Sequence, residues 1–423
     1  MYMYQHDDIA QVYISYRIIL YHYSECEDRG WGSDIHITTL FGCRVGTVML
    51  NGEGRIIRMN KLATRADVAK AVGVSVASVS RAVNNSGYIK KETKERILEV
   101  ARDLGYNPNP MALSLQSQKT RQLILYQNDI MSSYNLQFFN GATRTAYKRG
   151  YSIFLDINCD FDKIRRQMVD GVMFSLEAMA ENYINTVGNN YRLPVVVTSN
   201  DASLSFAHPV HKVLVDNNKV VNMGIDYLMK KGHRRIGIVL QDRAKISDIR
   251  YRIWKARMEQ NKRDYGMNVN LEELVIRGEI CDSNNIHDDN LDATLILQSS
   301  DDNYENYSTF NVGKRAAQKY LESKNPATAF LCFNDEIAYG FIRGVERSGL
   351  SVPEDISVMG IDGIYLRKWL EKRVTTVSID PENLGSLTTD VMIDILEGKN
   401  PKYMNWTSPK ILEGETVKEV TAY

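Results

Sequence analysis

The sequence has few cysteines and no long hydrophobic run. Its five cysteines are scattered without a C-x-x-C pair, which excludes a disulfide framework or a closed zinc site as the default interpretation. No stretch approaches the roughly 20 consecutive apolar residues that a membrane-spanning helix needs. The acidic beginning, MYMYQHDDIA, lacks the basic region of a secretion signal. We therefore expect a cytoplasmic protein, and the length of 423 residues predicts two or three domains.

Motifs of common enzyme and cofactor sites are also missing. The sequence contains no G-x-x-x-x-G-K-[ST] phosphate loop and no G-x-G-x-x-G after the first strand predicted in its body. It has neither the G-x-S-x-G elbow of hydrolases nor the H-E-x-x-H pair of zinc proteases. We expect a protein without enzymatic activity, cofactor or bound metal.

Charge is unevenly distributed although the whole chain is neutral. Residues 59–120 carry a net charge of +5, whereas residues 1–58 carry −2 and the remainder −3. A compact basic module on a mildly acidic body is typical of a nucleic-acid-binding protein with a separate sensing domain. Chance clustering of charge is the alternative.

The first 58 residues differ from the rest in composition. They contain no lysine, but six of the tyrosines and three of the seven histidines. No helix start or hairpin turn is recognisable there, and the tyrosine-rich stretch VYISYRIILYHY has no obvious partner strand. Our hypothesis is an upstream region joined by a mis-assigned start, with Met59 as the true start. A genuine, poorly ordered extension is the alternative.

Residues 64–105 have the pattern of three short helices. Thr64 can cap the first helix and Asp67 can complete a capping box. Gly73 is placed to end that helix, and Ser75 to begin the second. A third apolar stripe precedes Gly105. Three helices in a basic segment fit a DNA-reading unit, and any small helical bundle is the alternative.

The residues of this segment also resemble the DNA-binding head of LacI/GalR-type repressors. The shared elements include D-V-A at 67–69, V-S-R at 79–81, E-T-K-E-R-I and L-G-Y-x-P-N at 104–109. The resemblance implies base reading by Val76, Ala77 and Arg81, of which Arg81 can bond bidentately to guanine. It also implies backbone contacts by Thr64, Ser78, Asn84 and Tyr88.

A hinge is expected after the third helix. In the segment NPNPMALSLQ, Asn109 can cap and Pro110 suits a first helical position, but so short a helix is marginal alone. The resemblance implies a hinge helix that forms on operator DNA, with Ala112 packed against a second hinge and Leu115 wedged into the minor groove. A plain linker is the alternative.

The body alternates predicted strands and helices, which indicates doubly wound parallel sheets. Stretches such as DNNKVVNMGIDYLMKKGHRRIGIV and PATAFLCFNDEIAYGFIRGVERSG resemble the effector domain of the same repressors. The predicted fold class is thus α/β with an all-α helix-turn-helix head and a two-lobed, periplasmic-binding-protein-like body. The expected domains are an unassigned 1–58, a head at 59–106, a hinge at 107–120 and an effector and dimerisation domain at 121–423. Within that domain we expect lobe one at 121–216 and 377–407, and lobe two at 217–376 and 408–423.

Polar residues at predicted strand ends match the family's sugar-binding positions. The resemblance implies effector contacts by Arg252, Asn334 and Asp362, and a weaker one by Ser199. Arginine, asparagine and aspartate together can satisfy vicinal hydroxyls. The alternative is that Asp362 pairs with Arg252 or caps the next helix. We expect Asp335 to cap the helix EIAYGFIRG.

The resemblance lapses over 280–307, an acidic stretch without Lys or Arg that we interpret as a surface loop. The sequence predicts an effector-responsive repressor that binds operator DNA as a homodimer and has no membrane partner. The effector would be a small sugar, such as a galactoside. A regulator of a non-sugar ligand such as a nucleobase, or a transport-type sugar-binding protein, is the alternative.

Overall fold

The computed structural model describes residues 35–41, 44–50, 63–84, 86–106, 119–159, 161, 169–187, 193–206, 209–241, 245–278 and 308–420. For 35–50 and 245–248 only the backbone is described. The chain divides into two compact units, Met1–Gln116 and Ser117–Tyr423. Among the described residues, no helix is long and apolar enough to cross a membrane.

A two-stranded hairpin lies within the segment for which no pairing was predicted. Strands β1 (Ile35–Phe41) and β2 (Arg44–Leu50) pair antiparallel, with Ile35 opposite Leu50 and Phe41 opposite Arg44. Both strands are rich in Ile, Val and Thr, whose branched side chains favour extended backbone. No hairpin turn was recognisable in 1–58 from the sequence, so this hairpin is seen only in the structure.

Three helices form the second part of the first unit: α1 (Arg65–Val72), α2 (Val76–Val83) and α3 (Lys91–Asp103). Thr64 and Asp67 form the expected capping box, and Gly73 ends α1 in the left-handed conformation at φ 76°. Ser75 caps α2 by accepting from the Ser78 N–H at 3.1 Å. The helices bury a small core, made of Val68, Ala69, Val72, Val79, Ala82, Ile97 and Ala101.

The second unit begins with a six-stranded sheet, in the order β13-β7-β6-β5-β3-β4. Its strands are all parallel. Both faces are covered, because Leu123 and Leu125 of β3 belong to one apolar cluster and Ile124 and Tyr126 to another. The strands are β3 (Gln122–Tyr126), β4 (Ser152–Asp156), β5 (Gly171–Phe174), β6 (Val195–Ser199), β7 (His211–Leu214) and β13 (Met404–Trp406).

A second six-stranded sheet has the order β14-β12-β11-β10-β8-β9. Only the edge strand β14 pairs antiparallel, with β12. The strands are β8 (Ile236–Gln241), β9 (Val275–Gly278), β10 (Ala329–Cys332), β11 (Ser357–Asp362), β12 (Thr375–Ser378) and β14 (Lys410–Leu412). We call the first sheet with its helices lobe one and the second lobe two. The boundary expected at 376/377 falls inside β12, so the chain leaves the second sheet two residues later.

Helices pack on these sheets: α4 (Ser133–Lys148), α5 (Glu177–Val187), α6 (Asn217–Lys230), α7 (Lys245–Asp264), α8 (Thr309–Glu322), α9 (Asp335–Arg347) and α10 (Pro381–Leu396). In lobe one, α4 and α10 approach so closely that a Cβ on Gly141 would overlap the carbonyl oxygen of Glu382. The expected fold class, a helix-turn-helix head with a body of two doubly wound sheets, is confirmed.

Candidate functional site

Helix α2 presents a polar and small-residue face to solvent. Val79 and Ala82 are buried in the helical core. Because residues three and four apart share a helix face, burial of these two leaves Val76, Ala77 and Arg81 exposed on the opposite side. This exposed set has the residue types that contact base edges, a guanidinium fork and two small apolar groups.

The residues predicted to contact the DNA backbone surround this face. Thr64, Asn84 and Tyr88 are exposed and Ser78 is half-buried. The hydroxyls of Ser78 and Ser75 lie 2.9 Å apart, and Asn84 Nδ2 donates to Ser80 Oγ at 3.3 Å. The hinge residues Ala112 and Leu115 lie outside the described residues, so their roles stay predictions.

In the second unit, the structure moves the arginine of the predicted effector site by two residues. Arg252 is exposed on α7, whereas Arg250 is only 3 % exposed. Arg250 Nε donates to Asn217 Oδ1 at 3.1 Å, Nη1 donates to the Phe333 carbonyl, and the guanidinium lies over the Phe333 ring. Two residues along a helix rotate a side chain by about 200°, which separates the two arginines. The structure thus places Arg250, and not the predicted Arg252, on the buried face of α7 beside these groups, and an effector contact by either stays a prediction.

Asp362 ends β11 beside this arginine. It is 7 % exposed and has a positive φ of 119°, a conformation that an L-residue adopts only at a cost. Among the described residues, no protein group donates to its carboxylate. Burial raises the pKa of Asp362 well above its usual value, and the nearby Arg250 guanidinium opposes that rise. An acceptor held without a donor is suited to a ligand hydroxyl or amine.

Asn334, and not Asp335, caps the helix that follows β10. Asn334 is the N-cap of α9, because its Oδ1 accepts from the Ile337 N–H at 2.8 Å. Asp335 is fully buried, and its Oδ2 accepts from the N–H groups of Gly363 and Ile364 at 2.8 and 2.9 Å. The expectation that Asp335 caps α9 is wrong. Asn334 remains at the strand end, with the two N–H donors of its amide available for a ligand.

Ser199 is not available in the way the sequence suggested. Its side chain is buried, its Oγ donates to the Asp201 carbonyl at 3.0 Å, and it accepts from the Asp201 N–H at 3.0 Å. These two bonds make Ser199 part of the turn after β6. We therefore correct its predicted effector contact to a structural role.

Lobe one contributes residues that the sequence analysis missed. Tyr134 lies in the first turn of α4. Burial is the main cause that raises its pKa, and the charges of Asp362, Arg250 and Glu177 also act on it. Glu177 begins α5, and burial raises its pKa too. Tyr134 therefore lies near charged groups of both lobes. Little in the sequence pattern indicated Tyr134 or Glu177, because neither residue follows its strand directly.

Hydrogen bonds connect the lobes around this cleft. Asn217 Nδ2 donates to Asn200 Oδ1 at 3.2 Å, which continues the chain from Arg250 to lobe one. The Ser133 N–H donates to Glu336 Oε1 at 3.0 Å. Such contacts join rigid lobes through few bonds, an arrangement that permits domain closure around a ligand.

Two family models match parts of the chain. A family model described as bacterial regulatory proteins, lacI family, matches residues 64–109, and a periplasmic-binding-protein-like domain matches 283–417. The second match begins inside the acidic stretch where the resemblance was expected to lapse.

Curated relatives are transcriptional repressors. The chain is 26% identical to the probable repressor ExuR of Bacillus subtilis, with 83% of this chain and 96% of the relative covered. It is 23% identical to the repressor PurR of Aliivibrio salmonicida, with 80% and 94% covered.

Solved structures share the fold. The lac repressor dimer bound to operator and the anti-inducer ONPF has a TM-score of 0.65 at 20% identity, covering 85% of this chain and all of that one. The regulator CelR with cellobiose has a TM-score of 0.54 at 20% identity, covering 84% and 99%. A LacI family regulator from Enterococcus faecium with bound ribose has 0.56 at 18%, covering 71% and 99%.

Proposed function

Because this chain is a DNA-binding transcriptional repressor of the LacI family with a ligand-binding domain, we propose that a small sugar controls it from the cleft between its lobes. The observation that carries this proposal is the arrangement of Asn334 and Asp362 at the ends of two neighbouring strands of lobe two, with Arg250 of α7 near Asp362. Arg250 has a donor fork, Asn334 two amide donors and Asp362 an unpaired acceptor.

Such a set matches a sugar better than an apolar ligand. Each hydroxyl both donates and accepts, so two neighbouring hydroxyls can bond to a carboxylate and a guanidinium together. A buried polar group left unpaired costs about 1–3 kcal/mol, which disfavours a ligand without such groups. Two solved neighbours hold sugars, cellobiose and ribose.

The DNA-binding half of the proposal uses the exposed face of α2. Arg81 would bond to guanine O6 and N7 in the major groove, and Val76 and Ala77 would contact thymine methyl groups. The hydroxyls and amides around this face would hold phosphates and so fix the register. In the hinge, Leu115 would enter the minor groove, where an apolar wedge bends the duplex.

We propose a homodimer on a pseudo-palindromic operator. Large apolar side chains are exposed on the second unit, among them Trp369 at 82 % and Phe154 at 42 %. Phe154 lies on β4, an edge strand whose backbone groups could pair with a second copy. Sedimentation of wild type and Trp369→Ser would test this, and an unchanged monomer at micromolar concentration would contradict it.

Effector and operator would be linked through the lobes. A ligand that contacts both lobes favours one lobe arrangement, and it can shift operator affinity only by its preference for that arrangement. Operator and effector must then change each other's affinity by the same factor.

The test is a thermal-shift screen of mono- and disaccharides, with nucleobases and nucleosides as the competing class. A ligand at 100 times its Kd adds about 2.7 kcal/mol of stability, which the screen detects easily. The proposal expects stabilisation by a sugar that also changes operator affinity. Stabilisation by a nucleobase and by none of the sugars would contradict a sugar effector and favour a nucleobase.

A further inference from the structure

The described walls of the cleft carry more carboxylates than cations. Asp362 and Glu336 come from lobe two and Glu177 from lobe one; Asp362 and Glu177 lie near Tyr134, and Glu336 lies near Asp362. Arg250 is the cation that lies near Asp362. It already donates from Nε to Asn217 and from Nη1 to the Phe333 carbonyl.

The other described cations nearby are held by carbonyl groups. The Lys212 ammonium donates to the carbonyls of Ala202 and Leu204, and the Arg367 guanidinium to those of Val374, Leu412 and Glu413. Neither is placed to receive an anion in the cleft.

Unpartnered polar atoms near the cleft are mainly acceptors. The Asp362 carboxylate has no described donor, although the side chain is more than nine-tenths buried. In lobe one, Gln127 Oε1, an acceptor, and the Ser175 hydroxyl, which can donate or accept, are buried without a partner directly after the neighbouring strands β3 and β5. Because ligands of such sheets bind beyond the carboxyl ends of the strands, these groups border the place a ligand would take.

We propose that this cleft selects a donor-rich effector without an anionic group, a neutral or amino sugar, and rejects sugar phosphates and sugar acids. The inference rests on the proposed function and narrows its ligand. Hydroxyl or ammonium groups would donate to the unpartnered acceptors. An anionic group would need hydrogen-bond donors, whereas the unpartnered Asp362 and Gln127 oxygens are acceptors, and it would oppose ionisation of the nearby Asp362 and Glu177 carboxyl groups.

The test compares matched forms of three sugars, galactose, glucose and ribose, each offered as the neutral sugar, an amino derivative, the corresponding sugar acid and the phosphate. Calorimetry on the full chain gives Kd values. We expect at least one neutral or amino form to bind at least 30-fold more tightly than its acid and phosphate. An acid or phosphate that binds as tightly as its neutral parent would overturn the inference, and so would no binding by any neutral or amino form.

A substitution of Glu177 tests the charge selectivity without removing the ligand contacts proposed for Asp362. Glu177→Gln should narrow the difference between neutral and phosphorylated forms by about tenfold, with the exposed Glu259→Gln as the control of equal charge change. Independently of any ligand, Asp362→Asn should raise Tm at pH 8, because an amide needs no counter-charge. A lower Tm for Asp362→Asn together with unchanged selectivity for Glu177→Gln would contradict the proposed excess of carboxylates.

Operator measurements separate this inference from the proposed function. If a sugar phosphate binds and releases operator, the regulatory function stands and the charge selectivity falls. If a neutral sugar binds without any change in operator affinity, the selectivity stands and the regulatory function falls.

Discussion

Replacement of Arg250 by alanine should separate the corrected site from the one the sequence suggested. The Arg250 guanidinium is buried, bonds to Asn217 and the Phe333 carbonyl, and lies near the Asp362 carboxylate. Arg252, two residues later, is exposed. Arg250→Ala and Arg252→Ala each remove an arginine side chain, with one positive charge, from the same helix.

The size of the effect follows from burial. Removal of one partner from a buried charged cluster typically costs about 3–5 kcal/mol, because the remaining carboxylate and amide lose their compensation. An exposed arginine contributes about 0–1 kcal/mol through its surface contacts. Arg250→Ala should therefore lower the free energy of unfolding by at least about 2 kcal/mol more than Arg252→Ala.

Urea unfolding of the two variants measures this difference, and the stabilising ligand from the sugar screen gives a second readout. Arg250→Ala should abolish ligand-induced stabilisation, and Arg252→Ala should respond like wild type. Equal destabilisation by both substitutions, or a retained ligand response in Arg250→Ala alone, would refute the assignment of the cleft arginine.

Four further outcomes are expected. Arg81→Ala should weaken specific operator binding by about 1–3 kcal/mol in an anisotropy titration and relax preference at one base pair; an equal loss on random DNA would argue against base reading. Ser75→Ala should destabilise the helical head by about 1 kcal/mol in thermal unfolding, since the Ser78 N–H loses its acceptor, and an unchanged Tm would contradict the cap. Burial lowers the pKa of His233 to about 4, so the free energy of unfolding should be highest above pH 6.5 and fall as pH drops towards 4. His233→Gln should flatten this pH dependence of Tm, and an equally steep fall would assign the dependence to other groups. Leu115→Ala should reduce operator affinity and bending in gel-shift assays without changing calorimetric sugar affinity, and a changed sugar affinity would count against a purely DNA-side role.

Local chemistry made the helical head predictable. Thr64, Gly73 and Ser75 form caps whose partners lie within a few residues, so their pattern is complete in the sequence. The same holds for Asp362, which is the last residue of its strand and needs no distant residue to be placed at the sheet edge.

The sequence alone did not decide which of two arginines on α7 faces the cleft. The stretch ISDIRYRIWKA offers two arginines on opposite faces of α7, and strand ends do not distinguish them. A signal was present in Trp254 and Met258, which are buried four and eight residues after Arg250 and mark the inward face. Periodicity read through this apolar stripe would have selected Arg250.

The contribution of lobe one could not be read from local pattern. Tyr134 and Glu177 lie far apart in sequence and come near Arg250 and Asp362 only through the packing of two sheets. Asn334 and Asp335 are both capable caps, and the choice between them depends on the turn at Gly363 and Ile364, whose N–H groups donate to the Asp335 carboxylate.

The most direct test of the account is the operator affinity of the full chain with and without its sugar. Operator duplexes can be selected from random DNA on the wild-type protein, and the ligand taken from the thermal-shift screen. Anisotropy then gives the operator Kd at zero and saturating sugar, and calorimetry gives the sugar Kd with and without operator. We predict that both constants change by the same factor, at least about fivefold, since typical allosteric coupling is 1–3 kcal/mol. An operator Kd that does not respond to a sugar bound in the cleft would contradict the central claim.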